Sequence, residues 1–167
     1  MENNDILRRF RYALDIPDTT MVKIFSMAGC NMAEEQLRHL LKKEGDDGYV
    51  QCGDDLLELF LDALIVYNRG QKAEESAGSS FQSSKSGHNS GGGKTFQLTN
   101  NMILKKLRIA LELQQDSMLD IFRLGGVNMS KGELTAIFRK DGHKNYKVCG
   151  DQYLKKFLNG LGVRHRM

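Results

Sequence analysis

Apolar residues near the start of the chain fall at Ile6, Leu7, Phe10, Ala13 and Leu14, spacings of three and four that mark one face of a helix. The spacing returns at Ile103, Leu104, Leu107, Ala110 and Leu111. A second helix is predicted to begin near Thr19, and again near Asp116, carrying Met21, Ile24 and Phe25 or Met118, Ile121 and Phe122. It stops at Ala28-Gly29 and Gly125-Gly126, since glycine readily ends helices. A third opens at Ser130-Lys131-Gly132-Glu133, a capping box just before Leu134; Ala33 replaces that serine in the first half and predicts a weaker cap. This helix ends before Gly45 and Gly142. A fourth starts at Asp54 and Asp151, presenting Leu57, Phe60, Leu61 and Leu64 or Leu154, Phe157, Leu158 and Leu161. Asparagines at the head of helix one are expected to cap its free amides. Strand-like alternation is nearly absent, so the predicted fold class is all-α.

The two halves are copies of one unit. Residues 3–64 align with 100–161 without a gap, and 24 of the 62 positions are identical. That predicts a tandem duplication: a first four-helix repeat over 1–69, a flexible Gly/Ser-rich linker over 70–97 and a second repeat over 98–167. A unit of this size buries only about 60% of its unfolded surface and is marginal alone. The copies are therefore expected to pack on each other or on a second chain. The linker holds His88 and the glycines at 91–93, but Ser86 occupies the place of the earlier glycine that a phosphate-binding loop requires.

Composition narrows the class. Apolar content of 40% and charged content of 27% are those of a soluble globular protein. No apolar run is long enough to cross a bilayer, and no secretory leader is visible. Three cysteines suggest no disulfide framework, which favours the cytoplasm.

The segments "KEGDDGYVQCGDDLLELF" (43–60) and "KDGHKNYKVCGDQYLKKF" (140–157) share a frame and differ in charge. The first imitates a calcium loop. However, with Gly48 as the sixth position, Lys43 and Gly45 fall where oxygen ligands are needed and Asp54 falls where a bidentate Glu belongs. Zinc lacks a matched set of nitrogen and sulfur ligands, so neither metal nor cofactor is expected. Cys52 and Cys149 precede a helix N-terminus, where a thiol can become reactive. Asp54 and Asp151 two residues on oppose that, and the preferred reading is a small buried anchor followed by an aspartate cap. With Tyr49 these residues form the candidate junction between helices three and four. No serine, cysteine or histidine constellation marks an enzyme.

On "DGHKNYKVCGDQYLKKFLNGL" and "NNMILKKLRIAL" the chain resembles the YehS-like family of bacterial proteins, which has the same two-copy layout. The resemblance covers both repeats and implies a small, soluble, bacterial helical protein. It implies no activity. The first copy departs from the pattern, with Asp46-Asp47-Gly48 where the second has His143-Lys144-Asn145.

Charge separates the copies. Residues 1–70 carry a net −5 and residues 96–167 a net +7. Unlike halves can attract each other within a chain or between chains, and a basic half can meet an anionic partner. The candidate binding residues are Lys105, Lys106, Arg108, Arg139, Lys140, His143, Lys144, Tyr146 and Lys147, followed by Lys155 and Lys156. The expected function is a non-catalytic binding or regulatory module acting on a protein partner or on itself. The alternative is nucleic-acid binding by the second repeat, with His143 and Tyr146 as a stacking surface or with Lys131, Thr135 and Arg139 facing a groove. An enzyme of unknown type is third.

Overall fold

The computed structural model describes residues 1–75 and 96–167, and every regular element among them is a helix. In chain order these are α1 (Asn3–Ala13), α2 (Asp18–Met27), α3 (Glu34–Leu40), α4 (Asp54–Glu75), α5 (Asn100–Ala110), α6 (Gln115–Leu124), α7 (Lys131–Ile137) and α8 (Asp151–Arg166). The two sets of four correspond helix for helix. Helix α4 runs on through Gly70 to Glu75, into the stretch read as linker; His88 and the glycines at 91–93 lie outside the described residues.

The apolar stripes meet in one core. Leu7, Phe10, Met21, Phe25, Leu57 and Phe60 are buried, as are their second-copy counterparts. Each such side chain stabilises the fold by about 1.5–3 kcal/mol relative to exposure. Phe60 packs against Phe10 and Phe25, with ring centroids 6.2 and 4.8 Å away. Leu107 replaces Phe10 in the second copy, leaving the Phe122–Phe157 pair at 5.3 Å.

The first helix of each copy does not close its own copy. Helix α1 packs chiefly along α8, and α5 along α4, while α2 lies on α4 and α6 on α8. The polar contacts repeat this reciprocity. Arg9 donates to Asn159 Oδ1 at 3.3 Å, and its counterpart Lys106 pairs with Glu58 at 3.4 Å and with Asp62. The Leu98 amide donates to Asp54 at 3.0 Å, and the Met1 amino group, at the matching position, contacts Asp151. Exchange of first helices thus supplies the surface that a lone copy lacks.

Two close backbone approaches set the α6–α8 crossing. A Cβ on Gly160 would lie 1.8 Å from Ile121 O, and one on Gly125 would lie 2.0 Å from Lys156 O. Ala28 and Ala63 occupy these places in the first copy, so α2 and α4 cannot approach as closely. Capping follows the sequence. Ser130 Oγ accepts from Glu133 N at 3.1 Å while Ser130 N donates to Glu133 Oε2 at 2.9 Å. At α3 only half of this box exists, Ala33 N donating to Gln36 Oε1 at 2.9 Å, because alanine offers no acceptor.

Candidate functional site

After α3 and α7 the chain leaves helical geometry for thirteen residues, 41–53 and 138–150, before α4 and α8. Gly45 (φ 91°) and Gly142 (φ 89°) make the left-handed turn that begins each junction. An irregular buried segment must find partners for its backbone groups, and asparagines supply them. Asn4 is 1% exposed. Its amide nitrogen donates to Leu40 O at 2.8 Å and Val50 O at 2.7 Å, and its oxygen accepts from Cys52 N at 2.9 Å and the Tyr49 hydroxyl at 3.2 Å. Asn101 repeats the clamp on Ile137 O (2.9 Å), Lys147 O (2.8 Å) and Cys149 N (2.8 Å). Asn3 and Asn100 hold the next turn, donating to Asp54 and Asp151 at 2.7 Å and to Cys52 O and Cys149 O at 3.1 Å.

The expected asparagine caps are therefore corrected. These residues lie inside α1 and α5 and clamp a loop from elsewhere in their copy; the cap of α5 is Thr99, whose hydroxyl accepts from Met102 N at 3.3 Å. The aspartate caps are corrected as well. Asp54 and Asp151 are the first helical residues, with Gly150 at the cap of α8, and their carboxylates tie the two copies together.

Cys52 and Cys149 are both 2% exposed. Burial, reinforced by the carboxylates of Asp54 and Asp151, pushes their thiols up to about 12 and about 11. A thiol held protonated in this way is a poor nucleophile, and both residues act as anchors. All three cysteines are free, and among the described residues no group of three His, Cys, Asp or Glu side chains could hold a metal ion.

The second junction opens a cleft of about 420 Å³ between the start of α5 and the end of α7. Met102, Ile137 and Phe138 form its apolar lining, Asn101 its back, and Thr99, Lys105, Arg139, Lys140, Asp141 and Tyr146 its polar rim. Four of the candidate residues, Lys105, Arg139, Lys140 and Tyr146, thus converge. Among the described residues, the ammonium groups of Lys105 and Lys140 have no ion-pair or hydrogen-bond partner, and both residues are exposed. His143 stands beside them; its Nδ1 lies 3.1 Å from Asn145 N and 3.3 Å from an Arg139 guanidinium nitrogen. Lys144 is exposed on the same loop. Burial raises the Tyr146 hydroxyl above its ordinary range, with Asp141 adding to the effect.

Other candidates serve structure. Lys106 joins the copies through Glu58 and Asp62. Arg108 stacks 4.9 Å from the Phe138 ring centroid and donates to Leu113 O at 3.2 Å. Lys147 pairs with Glu133 at 3.2 Å and covers the Tyr153 ring. The helix-turn-helix face is partly occupied too. Lys131 pairs with Asp116 at 3.2 Å, Thr135 donates back to Lys131 O at 2.8 Å, and Arg139 lies beyond the end of α7.

At the matching place in the first copy, a side chain of the chain itself reaches the loop, and the cleft of about 430 Å³ lined by Asp5, Arg8 and Lys43 opens instead towards Leu158, Asn159 and Gly162 of α8. Arg8, the counterpart of Lys105, reaches the carbonyl oxygens of Leu41 and Lys42 at 3.4 and 3.3 Å and is held by Asp5 at 2.5 Å. Met102 replaces Asp5 in the second copy, so Lys105 lacks the carboxylate that holds Arg8. The first rim is also acidic. Glu44, next to Glu2, raises the Glu2 carboxyl, and Tyr49 is raised by burial and then by these two acids. Met102, Phe138 and Thr99 gave no signal as site residues in the sequence, because each reads as an ordinary helix or cap position. Asn101 did carry one: it is a polar residue one turn before Leu104, on the apolar stripe, and is identical in both copies.

Comparison with known proteins gives a consistent placement. The profile of the family described as "Protein of unknown function (DUF1456)" matches residues 3–70 and again 100–166. The "Uncharacterized protein YehS" of Escherichia coli (strain K12) is 36% identical over 167 residues, covering 100% of this chain and 98% of that protein. No solved structure matches significantly.

Proposed function

The chain belongs to the DUF1456 family, on a match that covers both helical copies, and from that premise we propose that it is a non-catalytic binding module of the cytoplasm. Its second junction is the recognition site and takes an acidic segment of a protein partner. One observation carries this reading: the cleft lined by Lys105, Arg139, Lys140 and Tyr146 is open and cationic, whereas Arg8, the first-copy counterpart of Lys105, is bonded to the Leu41 and Lys42 carbonyls and to Asp5. A cation already paired within the fold gains little by meeting a partner, and among the described residues Lys105 and Lys140 are not so paired. The apolar lining offers a place for a side chain adjacent to the acid, and such anchors carry most of the affinity in small interfaces.

Nucleic-acid binding is the second reading, favoured by Tyr146 beside these cations, since an aromatic face next to a basic track suits a single strand. Titration separates the two. Fluorescein-labelled hexaglutamate and labelled single-stranded DNA and RNA are each added to the whole protein at low and high salt. Binding of the peptide, lost in Lys105→Glu/Lys140→Glu, supports the acidic-segment reading. Binding of the oligonucleotides alone, weakening steeply with salt, replaces it with the second. If neither probe binds at low salt, both readings fail. The whole chain is required because each copy borrows its first helix from the other.

A further inference from the structure

The two junctions are duplicates of one structure that have moved to opposite electrostatic character. The first junction and its rim carry Glu2, Asp5, Glu44, Asp46 and Asp47 against Arg8, Lys42 and Lys43; two of these eight charges, Arg8 and Asp5, neutralise each other. Its tip, residues 44–48, is exposed, and Gly45 and Gly48 are both left-handed, so the chain turns sharply there and presents Glu44, Asp46 and Asp47 outward. The second junction carries Lys105, Arg139, Lys140 and Lys144 against Asp141 alone. Its cleft is lined by second-copy residues, whereas at the first junction Arg8 bonds across to the Leu41 and Lys42 carbonyls.

We infer that the occupant of the second junction's cleft is the acidic tip of the first junction of another molecule of this chain. The inference rests on the reading of that cleft as a site for acidic segments and adds the identity of the partner. Charge and shape agree: an exposed loop with three carboxylates suits an open cleft with two lysines whose ammonium groups are unpaired among the described residues. The acids have little local relief. The Asp46 carboxylate accepts the Lys43 amide at 3.0 Å within its own turn, and Lys42 spends its ammonium group on the Asp47 backbone oxygen rather than on a carboxylate. The contact joins two different patches, so it is heterologous and propagates head to tail unless the rotation between neighbours closes a ring. Because the paired groups stand at the surface, within reach of mobile ions, their attraction is screened by salt.

Light scattering coupled to size exclusion tests this on the full chain. At low salt the wild-type mass is expected to rise with concentration to at least twice 18.9 kDa, and at high salt to return to that value. Asp46→Lys/Asp47→Lys and Lys105→Glu/Lys140→Glu should each remain monomeric at low salt. Mixing the two variants should restore association, because the basic tip of one then meets the acidic cleft of the other. All four positions are exposed or at the rim, and circular dichroism checks that the variants fold. A wild-type protein that stays at 18.9 kDa in low salt at every concentration overturns the inference. So does association that survives both double variants. Labelled hexaglutamate distinguishes the failures: if it binds the monomeric wild type and not Lys105→Glu/Lys140→Glu, the cleft reading stands and only the self-partner is wrong. If it binds neither, both are wrong.

Discussion

Replacing Asn4 by alanine removes four hydrogen bonds at once. The groups left behind differ in their access to water. Val50 O and the Tyr49 hydroxyl are near the surface and can turn to solvent, while Leu40 O and Cys52 N are bonded in the buried interior. A buried polar group stranded without a partner costs about 1–3 kcal/mol. Two such groups give an expected loss of about 2–6 kcal/mol, a large part of the roughly 5–15 kcal/mol that holds a domain folded. Urea unfolding followed by circular dichroism measures it. The midpoint should fall with the slope unchanged, since the surface exposed on unfolding is the same. Asn101→Ala should fall toward the lower end, because Asn101 makes three bonds rather than four and is more exposed. Asn4→Asp adds a diagnostic arm. It keeps the acceptor for Cys52 N, loses both donations and buries a charge, so its stability should improve as pH falls and the carboxyl regains a proton. A loss below about 1 kcal/mol for Asn4→Ala would show that the junction is not held by this clamp.

Three further outcomes follow from the packing and the electrostatics. Gly160→Ala should cost about 3 kcal/mol or more, since backbone atoms of α6 block the new methyl group. Gly162→Ala should cost less, because its nearest neighbour is the mobile end of Arg166, and equal thermal shifts in the two variants would refute the close-approach argument. With a thiol-reactive disulfide reagent at pH 8, half-buried Cys30 should react first and Cys52 and Cys149 only at the rate of unfolding. Their thiolate fractions there are about one in ten thousand and one in a thousand; rapid release of three equivalents from native protein would contradict this. Burial raises the Asp5 carboxyl, but the Arg9 and Arg8 guanidiniums outweigh it and hold it below the usual carboxylate range. A folded-state value below the unfolded one means stability that is present above pH 4 and lost as pH falls through the folded value. Asp5→Asn should therefore be less stable than wild type by up to about 1 kcal/mol at pH 7, given partial exposure, with the gap closing in acid. A gap that is constant with pH would remove the ion pairs as its cause.

Local signals carried the helices and far-reaching ones did not. The three-and-four spacing of Ile6, Leu7 and Phe10, the Ser130–Glu133 box and the gapless repeat are properties of neighbouring residues, and each is seen in the structure. The partner of α1 is another matter. The stripe on α1 asks for an apolar neighbour and is equally satisfied by α4 or α8, because those helices carry the same apolar residues, Leu57, Phe60, Leu61 and Leu64 or Leu154, Phe157, Leu158 and Leu161. The duplication that makes the fold easy to recognise thus hides which copy each helix closes. The cleft was half legible. Lys105, Arg139, Lys140 and Tyr146 belong to the basic half, but Lys106, Arg108 and Lys147 have the same charge and are spent on Asp62, Phe138 and Glu133. Charge counts a residue whether or not the fold has already paired it.

The reciprocal exchange of first helices has a kinetic consequence. Arg9 and Asn159 touch across 150 positions of chain, so the stripe of Ile6, Leu7 and Phe10, which meets its own α4 through Phe10 on Phe60, lacks its main cover until α8 exists. At about 5–20 residues per second, a ribosome takes roughly 8–30 s to supply it. During that interval the first copy has its own α2 to α4 but lacks its lid, and the linker must leave α5 free to reach back to α4. Assembly therefore waits on the last helix made rather than proceeding copy by copy. Two chains emerging side by side could each take the other's first helix by the same contacts.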